Sequence, residues 1–143
     1  MSTIVVGVDG SETAARAAAT AAALADALEA DLLVVSAFPA SAADRQEPAD
    51  DALTTREAAE QLAGDVAGPL RAQYPGLTIS ADAEPGRPAD ALVHAAEYAG
   101  ATLIVIGNKR VQGVSRILGS VAVDVVRKAP CDVYIAHTHP RNG

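Results

Sequence analysis

Aromatic residues are almost missing from this chain: no Trp, one Phe and three Tyr in 143 residues. Surfaces that stack bases need such rings, so a single-strand nucleic-acid binder is disfavoured. Cysteine is equally scarce. Cys131 stands alone, which excludes an internal disulfide. Following Pro130 at the start of an apolar run, and with no base at close spacing, it reads as a small half-buried residue rather than a reactive thiol. Basic charge is also in deficit, since 11 Lys and Arg against 18 Asp and Glu leave a net charge of −7. Such a chain repels a polyphosphate backbone, so no nucleic-acid partner is expected. Long apolar runs are absent too. The Ala-rich stretch from Ala14 is interrupted by Arg16 and Asp26, so no membrane partner is expected. The chain opens directly into Thr3-Ile4-Val5-Val6-Gly7-Val8 with no secretory segment, and a cytoplasmic location is the expectation.

What is present is Ala, Val, Leu and Ile in alternating blocks, with 50% of residues apolar. That suffices for one continuous core over 1–143 and is too short for two. Ile4–Val8 is a β-branched run bounded by Asp9-Gly10-Ser11, as in a parallel strand buried on both faces. Ser11 then starts a helix reaching about Ala30. Leu32–Phe38 is the second strand, and 39–50 is the longest loop. A second helix is predicted from about Asp51, a solvated start, to Tyr74, with Gly68-Pro69 kinking it or ending its first part. Leu77–Ala83 alternates apolar and polar residues like an edge strand, and Pro88 opens a third helix that Gly100 closes. Leu103–Ile106 is a fully apolar fourth strand. Val121–Lys128 is a short helix beginning at Ser120, and Asp132–Ala136 a fifth strand. Strands alternating with helices in this way predict an α/β fold with an open, doubly wound parallel sheet.

In such sheets ligands bind beyond the carboxyl ends of the strands, where the winding reverses. Val8-Asp9 after strand one and Gly107-Asn108-Lys109-Arg110 after strand four stand at such ends, the latter leading to Gly119-Ser120-Val121 at a helix start. A helix start preceded by Gly offers free backbone N–H groups to a phosphate. Ser120 either caps that helix or turns its hydroxyl to a ligand. Lys109, Arg110 and Arg116 concentrate positive charge there, against the sign of the chain. Neither the P-loop pattern nor a G-x-G-x-x-G run occurs, which argues against a P-loop NTPase and a standard dinucleotide-binding domain.

Taken together, Ile4 to Ser11, Gly86-Arg87-Pro88, Leu103 to Gly107, Ile117 to Val121 and Ala129 to Val133 resemble the universal stress protein family over nearly the whole chain. The resemblance implies a three-layer, adenine nucleotide alpha hydrolase-like fold with sheet order 3-2-1-4-5. It also implies a homodimer through the last strand, Asp132, Val133, Tyr134, Ile135 and Ala136. ATP-binding members carry Gly, two residues, Gly, nine residues, then Gly-Ser or Gly-Thr. By position this implies a nucleoside contact at Asp9, an adenine contact at the backbone near Ala37, and phosphate contacts at Gly107, Gly119 and Ser120. The implied cofactor is ATP or another adenine nucleotide, with or without Mg. Two features depart from the pattern: Arg110 replaces the second Gly, and the interval from Gly107 to Gly119 is one residue short. A Cβ at that position obstructs close phosphate approach. The neighbouring cations favour it, and Arg binds phosphate through two parallel bonds.

Each of these residues also has a plainer use. Asp9 is suited to an Asx turn with Gly10-Ser11, Gly119-Ser120 to a loop end and helix cap, and Arg127-Lys128 to the last helix's dipole. His137 and His139 share one face of the tail without a third ligand to complete a metal site. His94 reads as partly exposed. No residue stands out as a catalytic base, so any ATP hydrolysis or self-phosphorylation is expected to be slow. The leading expectation is a small dimeric stress-response or signalling protein that binds an adenine nucleotide. The alternative is a nucleotide-independent dimeric interaction protein whose altered loop 107–120 does not bind ATP.

Overall fold

The continuous β-branched runs do become the inner strands. The computed structural model describes residues 2–41, 55–108 and 119–137. Their order is β1 (Thr3–Val8), α1 (Glu12–Leu28), β2 (Asp31–Phe38), α2 (Arg56–Gln73), β3 (Ile79–Pro85), α3 (Pro88–Ala99), β4 (Leu103–Gly107), α4 (Ser120–Lys128) and β5 (Asp132–Ala136). All neighbouring strands pair in parallel, in the order β3-β2-β1-β4-β5. The two sides of the sheet are covered by different helices. Ile4, Val6 and Val8 of β1 pack with α1 and α2, whereas Val5 packs with α3 and α4. This is the doubly wound, three-layer arrangement expected from the alternating blocks.

Small side chains set the spacing of the layers. The buried stripe of α1 is Ala14, Ala17, Ala18, Ala21, Ala22 and Ala25, recurring at three and four residues as one helix face requires. Ala59, Ala63 and Ala67 do the same for α2. On the opposite side α3 brings Leu92 directly onto Gly7, where a Cβ would stand 2.8 Å from Leu92 Cδ1. The absence of a side chain at Gly7 is therefore what lets α3 lie against β1. Beyond β1, Gly10 takes φ 88° and turns the chain into α1, whose cap Ser11 accepts a bond from the Ala14 N–H through Oγ.

Three boundaries differ from the sequence expectation. The second helix is continuous through Gly68-Pro69. Pro69 lies on its exposed side, and Gly68 has no Cβ to collide with the proline ring. Its cap is Thr55, whose Oγ1 accepts from Ala58 N–H, while the expected start at Asp51 lies outside the described residues. The third strand is displaced to Ile79–Pro85, because the Leu77 N–H is used in a turn with the Tyr74 carbonyl. It persists to Pro85 because β2 runs on to Phe38, with which Pro85 is in register.

Gly7→Ala is expected to overpack the β1–α3 contact and lower stability by about 1–3 kcal/mol. Gly64→Ala, in the interior of α2 with open space around the position, should raise it by about 0.5–1 kcal/mol. Urea unfolding midpoints of the two variants check both signs.

Candidate functional site

The winding reverses between β1 and β4. From β1 the chain proceeds towards β2 and β3, and from β4 it proceeds to β5 on the other side. A crevice therefore opens above the carboxyl ends of β1 and β4. β1 leaves the sheet after Val8, which is 5% exposed. The first residue beyond it, Asp9, is exposed and engaged locally. Its Oδ1 accepts from the Ser11 N–H at 2.9 Å and from the Ser11 hydroxyl at 2.6 Å. The Asx turn is thus real, and through Ser11 it also steadies the start of α1.

β2 overshoots β1. The last rung between them is Val8 with Ser36, so Ala37 and Phe38 continue above the point where β1 turns away. Backbone direction alternates along β2. Leu32 and Phe38 exchange bonds with the β3 side, which turns Leu33, Val35 and Ala37 towards β1. The Ala37 carbonyl accordingly faces the crevice rather than a strand.

The far wall is built by β4 and α4. Gly107 is the last residue of β4, paired with Ala136, and Asn108 follows it. Asn108 Oδ1 accepts from the Gly119 N–H at 3.0 Å, drawing the start of α4 to the end of β4. Lys109, Arg110 and Arg116 lie outside the described residues. Gly119, not Ser120, is the N-cap of α4, and it has no side chain to satisfy the first-turn amides. Ser120 is the first helical residue and is exposed. Val121 beside it packs half-buried on the core. The structure thus gathers Val8, Asp9, Ala37, Gly107, Asn108, Gly119, Ser120 and Val121 at the carboxyl ends of three adjacent strands.

Sequence reasoning missed the cleft next to them. A space of about 90 Å³ lies between the starts of α3 and α4, lined by Arg87, Asp90, Ser120, Val121, Asp124 and Lys128 among others. Lys128 Nζ reaches across it to Asp90 Oδ1 at 2.9 Å, so this residue ties α4 to α3 as well as standing in the last turn of its own helix. That bond and the Asp90 carboxylate raise the Lys128 ammonium above its ordinary value. A wider concavity on the exposed side of α2 is lined by Glu57, Glu60 and Asp65 and has the wrong sign for a phosphate.

A second missed feature lies between β3 and α3. Glu84 is 6% exposed, and its Oε2 stands 3.1 Å from His94 Nδ1. Tyr98 donates its hydroxyl to Asp82 Oδ2 at 2.9 Å. Partial burial, and then the Asp82 carboxylate, push the Tyr98 phenol up to about 12, so it remains a donor throughout the neutral range. The signal was available, since Asp82 and Glu84 share one strand face while His94 and Tyr98 are four apart on a helix. At the start of β5, burial and the neighbouring Asp132 push the Cys131 thiol up, away from the thiolate. Among the described residues no three His, Cys, Asp or Glu side chains gather as a metal site. His139 lies outside them, and His137 is exposed. No described helix is long and apolar enough to cross a membrane.

Known proteins share this architecture. The family model described as the universal stress protein family matches residues 1–137. A universal stress protein of Mycobacterium tuberculosis is 36% identical over 144 residues, covering 95% of this chain and 96% of that protein. One from Thermus aquaticus is 40% identical over 140 residues, covering 93% and 96%. Among solved structures, a universal stress protein in complex with cAMP superposes with a TM-score of 0.71 at 33% identity, covering 96% of this chain and 98% of the other. A universal stress protein from Archaeoglobus fulgidus in complex with dAMP gives 0.64 at 25% identity, covering 94% and 97%. The match to the family model, the two sequence relatives and the shared sheet order lead to one conclusion: this chain belongs to the universal stress protein family.

Proposed function

We propose that this protein binds an adenine nucleotide in the crevice above β1 and β4 and serves as a small dimeric stress-response or signalling protein. The observation that carries the reading is the convergence there of three chemically distinct ends: a carboxylate at Asp9, an outward backbone at Ala37, and the uncapped start of α4 after Gly119. Each suits a different part of one ligand. Asp9 accepts from ribose hydroxyls, the Ala37 backbone meets the adenine edge, and the α4 amides with Ser120 receive phosphate. Gly107 and Asn108 set the floor between them, and Val8 and Val121 give apolar contact. Lys109, Arg110 and Arg116 bring positive charge from the connecting segment. Relatives held in complex with cAMP and with dAMP support the ligand class.

A nucleotide-independent reading draws on the bonds that commit Asp9 Oδ1 to Ser11, and on Arg110 in place of the family's second Gly. Enzymatic turnover has less support, since the one hydroxyl the crevice rim sets beside a carboxylate, Ser11 against Asp9, is engaged in capping α1.

For the dimer we propose the β5 edge, where Tyr134 is 44% exposed and, among the described residues, the strand pairs with β4 alone. Light scattering should give the mass of two chains, and a monomer at micromolar concentration would contradict it. Titration calorimetry with AMP, cAMP, ADP and ATP, with and without Mg, tests the ligand. At least one should bind, and Ser120→Ala and Asp9→Ala should each weaken it by about tenfold. Absence of heat and of thermal shift with all four at millimolar concentration would leave the nucleotide-independent reading.

A further inference from the structure

A parallel sheet of this order has two edges, β3 and β5, and each presents a row of backbone groups to any strand that could add to it. The two are treated differently. Along β3 the even-numbered residues bond inward to β2, a pattern set by the Leu32 N–H on the Thr78 carbonyl and the Gly86 N–H on the Phe38 carbonyl. Ile79, Ala81 and Ala83 therefore turn their backbone groups outward.

Those outward groups are met by side chains at both ends of the strand. Arg71 Nε donates to the Ile79 carbonyl at 3.0 Å. Arg56 Nη1 lies 3.5 Å from the Ala83 carbonyl, its guanidinium resting 4.9 Å over the Phe38 ring. The Ala83 N–H donates to Asp82 Oδ1 at 2.9 Å, and Tyr98 holds the other oxygen of that carboxylate. α2 supplies the arginines from one face and α3 the tyrosine from the other. Among the described residues only Ala81 is left between these obstructions. An incoming strand needs successive outward residues to pair with, and here every second one is taken. Along β5, among the described residues, no side-chain hydrogen bond to the backbone of 132–136 is present.

We propose that Arg56, Arg71 and Asp82 close the β3 edge to strand addition by a second copy of this chain, so that self-association is confined to the other end of the sheet. Were both edges open, alternating contacts would build an unbounded chain of molecules instead of a closed assembly. This inference is independent of nucleotide binding and of whether the wild-type protein is a monomer or a dimer.

The test is the mass of the Arg56→Ala/Arg71→Ala protein by light scattering against concentration, in the absence of nucleotide. Its average mass should exceed the wild-type value by about twofold or more and rise with concentration. Adding Ala81→Pro should restore the wild-type mass. The Ala81 N–H is outside the ladder with β2, so proline blocks the edge without removing a bond of the sheet. A folded double variant with wild-type mass would overturn the proposal, as would association that Ala81→Pro leaves untouched. Single Arg71→Ala carries the same expectation at smaller size, and decides the matter if the double variant does not fold.

Discussion

The reversal of winding at β1 is the constraint on which the site depends. Because α1 packs on one face of the sheet and α4 on the other, no described helix or strand covers the gap between the ends of β1 and β4. Such a gap exists only if the central strands accept helices closely on both faces. Ala along α1 and α2, and the bare Gly7 beneath Leu92, provide that closeness. Packing and site are therefore one problem here. A bulkier residue at Gly7 would move α3, and with it the Arg87 end of the cleft beside Ser120.

The inner strands, the helix faces and the carboxyl-end location of the site were legible because each rests on a local, periodic signal. β1, β2 and β4 are continuous apolar runs, and α1 repeats Ala at helical spacing. The sheet order came from resemblance, since spacing alone does not say which strands are neighbours. Where sequence and structure part, tertiary terms overrode local ones. Leu77 has strand character, but the turn after α2 takes its N–H, and β3 follows the length of β2. Gly68-Pro69 signals a break, yet the helix runs on with Pro69 on its exposed side and no Cβ at Gly68 to add to the crowding. Glu84 lies beyond the expected end of the third strand, and only the structure shows it buried with His94 of α3 against it.

The site residues divide the same way. Asp9 and Gly119-Ser120 were legible as the termini of a strand and a helix, and their position follows from the fold. Of the two uses open to Ser120, cap or ligand contact, the first falls away, because Gly119 occupies the cap place with its N–H held by Asn108. That bond, and the cleft shared by the starts of α3 and α4, join residues distant in sequence and left no pattern to read. The acidic surface of the chain and the basic residues near Gly107 are consistent with a small anion as ligand, its field local rather than spread over the protein.

Backbone amide shifts during titration with AMP would show whether a nucleotide occupies the crevice, because they report on each of its walls separately. Perturbations at Asp9, Ala37, Asn108, Gly119 and Val121 that saturate together are expected. Shifts confined to the exposed face of α2, or saturable binding that leaves Asp9 and Gly119 unmoved, would contradict it.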